Sequence, residues 1–307
     1  MIFALGAFDG FHKGHLRLLE KAKKRAEEKG TEWGVITFEG HPRMLLGKKD
    51  FKLLFTPPER DHIAAFLSIP QMEKIKFTPE FASLTPGGFA AYIAQRWEIE
   101  GLVIGRNFRF AKDRAGDPIV LADICESRGW SLDVVPSFME GDRIISSTAI
   151  RAAVSEGRLK EAEAMLGYPY MLSGTVIEGD KRGRKLGYPT ANLSIRQGKI
   201  YPPEGVYAAI AATEGKWHLA SLNIGGNPTF DGKRAVRCEA HLTDWNKDLY
   251  GEQLNLMLLE RLRGEIKFET GKALTEQIKK DTEATNAIGS AYMHKNDKML
   301  KKFCAVL

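Results

Sequence analysis

The sequence predicts two domains of different class: an α/β domain on a parallel sheet, then a mainly β, barrel-like domain with a late helix. Three observations carry this. The chain has 307 residues, more than one average domain uses. Its first half alternates short apolar runs with amphipathic stretches, the signature of βαβ units. From about Ser173 the texture changes to β-type runs separated by turns rich in Gly and Pro.

The elements follow in order. Ile2–Leu5 is an apolar strand, and Leu16–Lys29 places Leu16, Leu19, Ala22 and Ala26 at helical spacing. Gly34–Phe38 reads as a buried strand. Pro58–Leu67 and Thr85–Trp97 read as helices, the second preceded by capping residues. Leu102–Ile104 and Leu132–Val135 are further strands around a helix at Ile119–Arg128. A linker is expected between Arg151 and Met171, with domains spanning 1–165 and 166–307. In the second domain the runs 205–212, 219–224 and 236–242 read as strands, 223–230 as a tight polar turn that includes Asn223 and Asn227, and Leu274–Asp281 as the late helix. The segment His294–Lys302 is either a helix with Met299, Leu300 and Phe303 turned inward or a frayed end.

Composition bounds the function loosely. Hydrophobic residues make up 43% and charged residues 27%, enough to bury real cores. A net charge of +6 suits a polyanionic ligand without choosing between nucleotide and nucleic acid. No aromatic-and-basic RNA-binding stretch and no zinc knuckle is present, so no nucleic-acid partner is expected. The three cysteines show no C-x-x-C pairing, which fits a reducing cytoplasm. No run approaches a membrane span, and Met1 leads straight into a strand without a leader-like segment.

The most informative segment is Phe8-Asp9-Gly10-Phe11-His12-Lys13-Gly14-His15, between the first strand and the first helix. Strand, glycine-bearing turn and helix is the arrangement that aims backbone N–H groups at phosphate. Gly6, Phe8, Asp9, Gly10 and Gly14 are therefore assigned to phosphate binding, and His12 and His15 add side-chain donors. The spacing fits neither a P-loop nor G-x-G-x-x-G. It resembles the H-x-G-H signature of nucleotidyltransferases, which implies attack of a substrate oxygen on the α-phosphorus of ATP with release of pyrophosphate. Asn107 and Phe108 follow a strand, His41 follows another, and Ser146, Ser147, Thr148 and Arg151 open a helix. These are the places where an open α/β sheet builds its site. Taken singly, Ser146–Thr148 could be an N-cap cluster, Asn107 a turn residue and His41 either turn or site.

The second domain carries its own constellation. The basic loop 179–187 holds Gly179, Lys181, Gly183, Arg184 and Gly187, suited to a triphosphate. Thr190 and Asn192 lie two apart in an extended segment, so both point one way and offer hard oxygens to Mg²⁺ bound with nucleotide phosphates. Glu239, at the centre of an apolar strand, can take a proton from an attacking alcohol. Its structural alternative is a solvent-facing residue paired with Arg237.

FDGFHKGH, TFEGHP, GRNFRF and ISSTAIR, followed by GDKRGRKLGYPTANL, PPEGVYA, NIGGNPTF, CEAHL, DLYG and LRGEIKF, resemble the prokaryotic bifunctional riboflavin kinase/FAD synthetase family end to end. The resemblance implies a Rossmann-like nucleotidyltransferase domain followed by a flavokinase barrel. It implies phosphorylation of riboflavin to FMN with Thr190 and Asn192 at Mg²⁺–ATP and Glu239 as base. FMN would then be adenylylated to FAD, with His12, His15, Asn107, Ser147, Thr148 and Arg151 in that site. Arg263 is a further candidate for the flavin, with His41 and Phe108. Three positions depart from the family pattern: Ala111 stands where glycine is usual, Gly40 where proline is common, and Ile144 where a basic residue is common. If position 111 needs φ > 0, its alanine is strained. These departures leave open a live kinase joined to a weak adenylyltransferase.

Overall fold

The computed structural model describes residues 1–45, 51–179, 183, 187–228 and 234–306. The chain divides into two compact units, Met1–Ala149 and Ile150–Leu307.

In the amino-terminal unit, β1 (Ile2–Leu5), β2 (Trp33–Phe38), β3 (Met72–Ile75), β4 (Gly101–Gly105) and β5 (Ser131–Val135) form one parallel sheet in the order β3-β2-β1-β4-β5. The chain builds outward from β1 on one side, then returns to β4 on the other. That reversal opens a crevice at the carboxyl ends of β1 and β4. Both strands are buried throughout their apolar residues, as expected for a sheet covered on both faces. Phe3, Ile36, Leu102, Ile104, Phe89 and Leu121 are among the core residues on one side.

Helix α1 (Lys13–Lys29) begins three residues before the expected start. His12 caps it, its Nδ1 accepting from His15 N–H at 3.3 Å, so His15 lies within the first helical turn. Helices α2 (Pro42–Leu45), α3 (Pro57–Phe66), α4 (Pro79–Ala82), α5 (Pro86–Ala94) and α6 (Pro118–Arg128) complete the layers. Helix α5 stops short of the expected Trp97. The N–H groups of Arg96 and Trp97 both return to Ile93 O at 3.1 Å, and the Trp97 ring turns in beside Phe3. The strand β3 was not expected: only Ile75 in Met72–Ile75 is fully buried, so no apolar run marks it. A small hairpin, β6 (Met139–Glu140) with β7 (Arg143–Ile144), was also missed, being too short to show a period.

In the second unit the expected linker contains α7 (Ser147–Ser155), which starts in the first unit, and α8 (Leu159–Leu166). Leu159, Ala162 and Leu166 of α8 are buried. Strands β8 (Tyr170–Ile177), β9 (Ala191–Ile195), β10 (Gly205–Thr213), β11 (Lys216–Pro228), β12 (Arg234–Leu242) and β13 (Gln253–Arg263) close a barrel in the order β10-β11-β12-β9-β8-β13. Among the described residues each of the six strands pairs with a neighbour on both sides. Residues 223–228, expected to be a turn, continue β11. Their backbone groups pair with β12 from Asn223↔Glu239 to Pro228↔Arg234, and that partner overrides the local Asn/Gly signal. Thr229 and Phe230 lie outside the described residues. The late helix, α9 (Gly271–Cys304), runs far beyond Leu274–Asp281, with a break at Asn296. Its end is anchored: Leu300 and Phe303 are buried, and Trp217 Nε1 donates to Leu300 O at 2.8 Å.

Ala111 has φ +65° and ψ 179°, a region that is essentially glycine-only. Lys112 N–H bonds to Leu84 O at 2.8 Å and Ala111 packs against the core, so the surroundings hold the strained residue in place. Replacing Ala111 with glycine is expected to stabilise this unit by about 1 kcal/mol, raising its melting midpoint by about 3 °C. An unchanged or lower midpoint in a thermal melt would show that the conformation costs nothing.

Candidate functional sites

The first site lies at the carboxyl ends of β1 and β4. After β1 the turn Gly6–His12 takes positive φ at Phe8 (+45°), Gly10 (+104°) and Phe11 (+34°). For two aromatic residues this is costly. Their rings are buried and stacked at 5.3 Å, which helps to hold the turn. Asp9 is buried too. Its carboxylate accepts from Leu54 N–H at 3.1 Å and Phe55 N–H at 3.2 Å, so it anchors a neighbouring segment. Gly6 opens the turn, and Gly14 sits in the first turn of α1 beside the His12 ring.

His12 and His15 stack with centroids 3.6 Å apart, and Phe8 tilts against His15 at 5.2 Å. Burial first, and the neighbouring His12 second, hold the His15 imidazole well below its ordinary pKa of 6.5. It is neutral at pH 7 and offers one N–H and one lone pair. His15 Nδ1 is buried without a hydrogen-bond partner, close to the turn after β1.

The hydroxyl cluster is brought to the same place. Ser147 Oγ donates to Asp9 O at 2.7 Å, and Ser146 Oγ accepts from Ala149 N–H at 3.2 Å. Ser146 thus caps the start of α7, and the bond from Ser147 joins that start to the turn after β1. Thr148 is exposed in the first turn of α7, and Arg151 follows Ser147 by one helical turn. Asn107, after β4, lies 3.5 Å from Ser137 Oγ through Nδ2, and Phe108 stacks on Phe110 at 5.6 Å. His41 Nδ1 accepts from Arg43 N–H at 3.1 Å, and its ring lies 4.3 Å from Phe51. Ile144 is exposed on β7.

One buried residue at this site was missed. Arg60 of α3 reaches Ala7 O, Thr37 Oγ1 and Phe38 O at the ends of β1 and β2. A signal existed: Arg60, Ile63 and Ala64 share the inward helical face, where arginine is out of place.

The second site is inside the second unit. A cavity of about 590 Å³ is lined by Gly183, Thr190, Asn192, Glu239 and Arg263, among others. The barrel register explains the gathering, because Glu239 stands opposite Asn223 on β11 and Asn192 on β9. Arg237 pairs with the Glu239 carboxylate and donates to Asn192 Oδ1 at 3.2 Å. The structural alternative for Glu239 is thus half right: it is paired with Arg237, yet it faces a cavity. Arg263 spends its guanidinium on Asp281 of α9, with contacts of 2.7 and 3.0 Å, and so fastens the helix to the cavity wall. Gly179 faces the Asn192 amide so closely that a Cβ would collide with it. Gly187 lies in a turn with φ +82°. Lys181 and Arg184 lie outside the described residues.

A second cavity of about 470 Å³ also meets Thr190, with walls that include Pro189, Leu242, Trp245 and Tyr250. It was not anticipated, because its lining joins two segments far apart in the chain, 189–191 and 240–250, with Val176 from a third. Among the described residues no cluster of three or more His, Cys, Asp or Glu could hold a metal ion. Thr190 Oγ1 and Asn192 Oδ1 are nevertheless hard oxygens on one wall. The amide oxygen keeps a second lone pair beside its bond to Arg237. That donor set fits Mg²⁺, which takes few protein ligands when phosphates supply the rest.

Comparison with known proteins follows the same division. The FAD synthetase family model matches residues 1–149 and the riboflavin kinase model residues 166–289. The chain is 39% identical to the bifunctional riboflavin kinase/FMN adenylyltransferase of Bacillus subtilis, covering 91% of this chain and 90% of the relative. Identity to the Listeria monocytogenes protein of the same name is 35%, over 93% of this chain and 91% of the relative. A solved structure from Streptococcus pneumoniae, described as a macrolide-efflux protein, matches with TM-score 0.83 and 33% identity, covering 93% of each chain. Among the described residues of this chain, no helix is long and apolar enough to cross a membrane.

The buried histidine yields a pH test. Its pKa is lower folded than unfolded, so the unfolded chain binds the extra proton and stability falls as pH drops below about 6.5. Denaturant unfolding of His15→Asn is expected to lose less stability between pH 7.5 and 5.5 than the parent does. An equal loss in both proteins would show that His15 is not held neutral.

Proposed function

The chain belongs to the bifunctional riboflavin kinase/FMN adenylyltransferase family, making FMN in its carboxy-terminal part and FAD in its amino-terminal part, and from that premise we propose how its residues divide the work. The observation that carries the kinase assignment is the convergence of Thr190, Asn192 and Glu239 on one cavity. Riboflavin occupies the larger cavity, with Arg263 and its partner Asp281 as part of the wall. The nucleotide base occupies the smaller one, whose apolar and aromatic walls suit a purine. Thr190 lines both, so the phosphates cross it. Glu239 takes the proton of the ribityl 5′-hydroxyl as that oxygen attacks the γ-phosphorus of ATP and ADP leaves. Arg237 keeps the carboxylate aimed. Thr190 and Asn192 would hold Mg²⁺ together with the phosphates, and the metal would neutralise phosphate charge.

In the other site a phosphate oxygen of FMN attacks the α-phosphorus of a second ATP, forming the new P–O–P bond as pyrophosphate leaves. His12, the neutral His15, Ser146, Ser147, Thr148 and Arg151 hold the departing phosphates. Asn107 holds the α-phosphate and the attacking oxygen. Gly6, Phe8, Gly10 and Gly14 shape the turn, and His41 and Phe108 border the flavin. This is positioning and charge stabilisation without a covalent intermediate. The functional boundary falls at 165/166, next to the first residue matched by the riboflavin kinase model. The protein works in the cytoplasm, with riboflavin, FMN and ATP as its partners.

Separate knockouts test the division. Glu239→Gln is expected to slow riboflavin phosphorylation by about 10²–10⁴-fold while supplied FMN is still converted to FAD. His12→Ala is expected to do the reverse, with FMN accumulating. Loss of both reactions in either variant, with folding intact, would overturn the division.

A further inference from the structure

We propose that Arg60 is a positioning residue for adenylyl transfer: its guanidinium fixes the phosphate turn after β1 and the end of β2 as one unit. The proposal rests on the adenylyltransferase reading of that site.

Arg60 is only 5% exposed. Burying a guanidinium carries a desolvation penalty that a methionine of similar bulk would avoid. Burial accordingly lowers its pKa, while Asp61 and Asp9 oppose that shift. The residue returns something for this cost. Nη1 lies 3.4 Å from both Ala7 O and Thr37 Oγ1, and Nη2 donates to Phe38 O. Thr37 Oγ1 itself donates to Ala7 O at 3.2 Å. Ala7 immediately precedes Phe8, the first strained residue of the turn, and Phe38 leads into the segment that carries His41.

A second tie runs the other way. Asp9, inside the turn, accepts from the N–H groups of Leu54 and Phe55. Two residues on, Thr56 and Glu59 form the capping box that starts α3, and Glu59 accepts from Thr56 N–H at 2.7 Å. The turn therefore holds the start of α3 through a carboxylate, and α3 holds the turn through a guanidinium. This loop of contacts fixes where the N–H groups and histidines of the turn sit. Arg60 also places a buried positive charge beneath a turn that receives polyphosphate. Lysine could supply the charge but not the two-armed fork.

The test uses the full-length protein with Mg–ATP and FMN, measuring kcat and KM for ATP beside the thermal midpoint. Riboflavin phosphorylation by the same preparation is the internal control. Arg60→Met is expected to lower kcat of FAD formation about 100-fold and Arg60→Lys about 10-fold, with KM for ATP and the kinase rate changed less than about twofold. A fully folded Arg60→Lys protein with parental kcat would overturn the proposal, and it decides the matter alone if the methionine variant does not fold. Losses that track the lowered midpoint and vanish on cooling would reduce Arg60 to a structural role. Absence of FAD formation by the parent would instead refute the adenylyltransferase reading.

Discussion

Phe8 and Phe11 stack on each other across a turn whose backbone both residues would avoid in isolation. The amino-terminal site depends on that turn. It delivers His12 as the cap of α1 and so sets His15 in the first turn of the helix, where burial keeps it neutral. It presents Asp9 O to Ser147 and the Asp9 carboxylate to Leu54 and Phe55. A strained turn persists only where its surroundings over-determine it. Here ring packing, Arg60 and the Ser147 hydroxyl all converge on it. Relaxing the turn would move His12 and His15 with it.

The barrel solves a different problem. The proposed kinase chemistry calls for a base and hard oxygens drawn from distant parts of the chain. Antiparallel register gathers candidates: β9, β11 and β12 set Asn192, Asn223 and Glu239 side by side across three strands. The salt bridge from Arg263 to Asp281 then fixes α9 as a wall of the cavity.

The fold class was legible because βαβ alternation and short turn-bounded strands leave strong periodic traces. Motif residues stood out where chemistry restricts the type, and the fold brings them together: His12 stacks on His15, and Thr190, Asn192 and Glu239 line one cavity. What stayed hidden depended on partners. β3 is a strand because β2 pairs with it, and residues 223–228 extend β11 because β12 pairs with them. Asp9 looked like part of a phosphate turn, whereas its carboxylate is spent on backbone N–H groups far along the chain. Arg60 carried a faint signal, a cation on an inward helical face, whose meaning needed the carbonyls it meets. The strain foreseen at Ala111 came from knowing which residue the position usually takes, and its φ of +65° agrees.

One chain carries riboflavin through FMN to FAD. A time course of flavins, separated by chromatography after mixing the protein with riboflavin, Mg²⁺ and excess ATP, tests it most directly. The account predicts FMN rising first and FAD following at its expense, with pyrophosphate released in step with FAD. FMN that accumulates without FAD or pyrophosphate would contradict it.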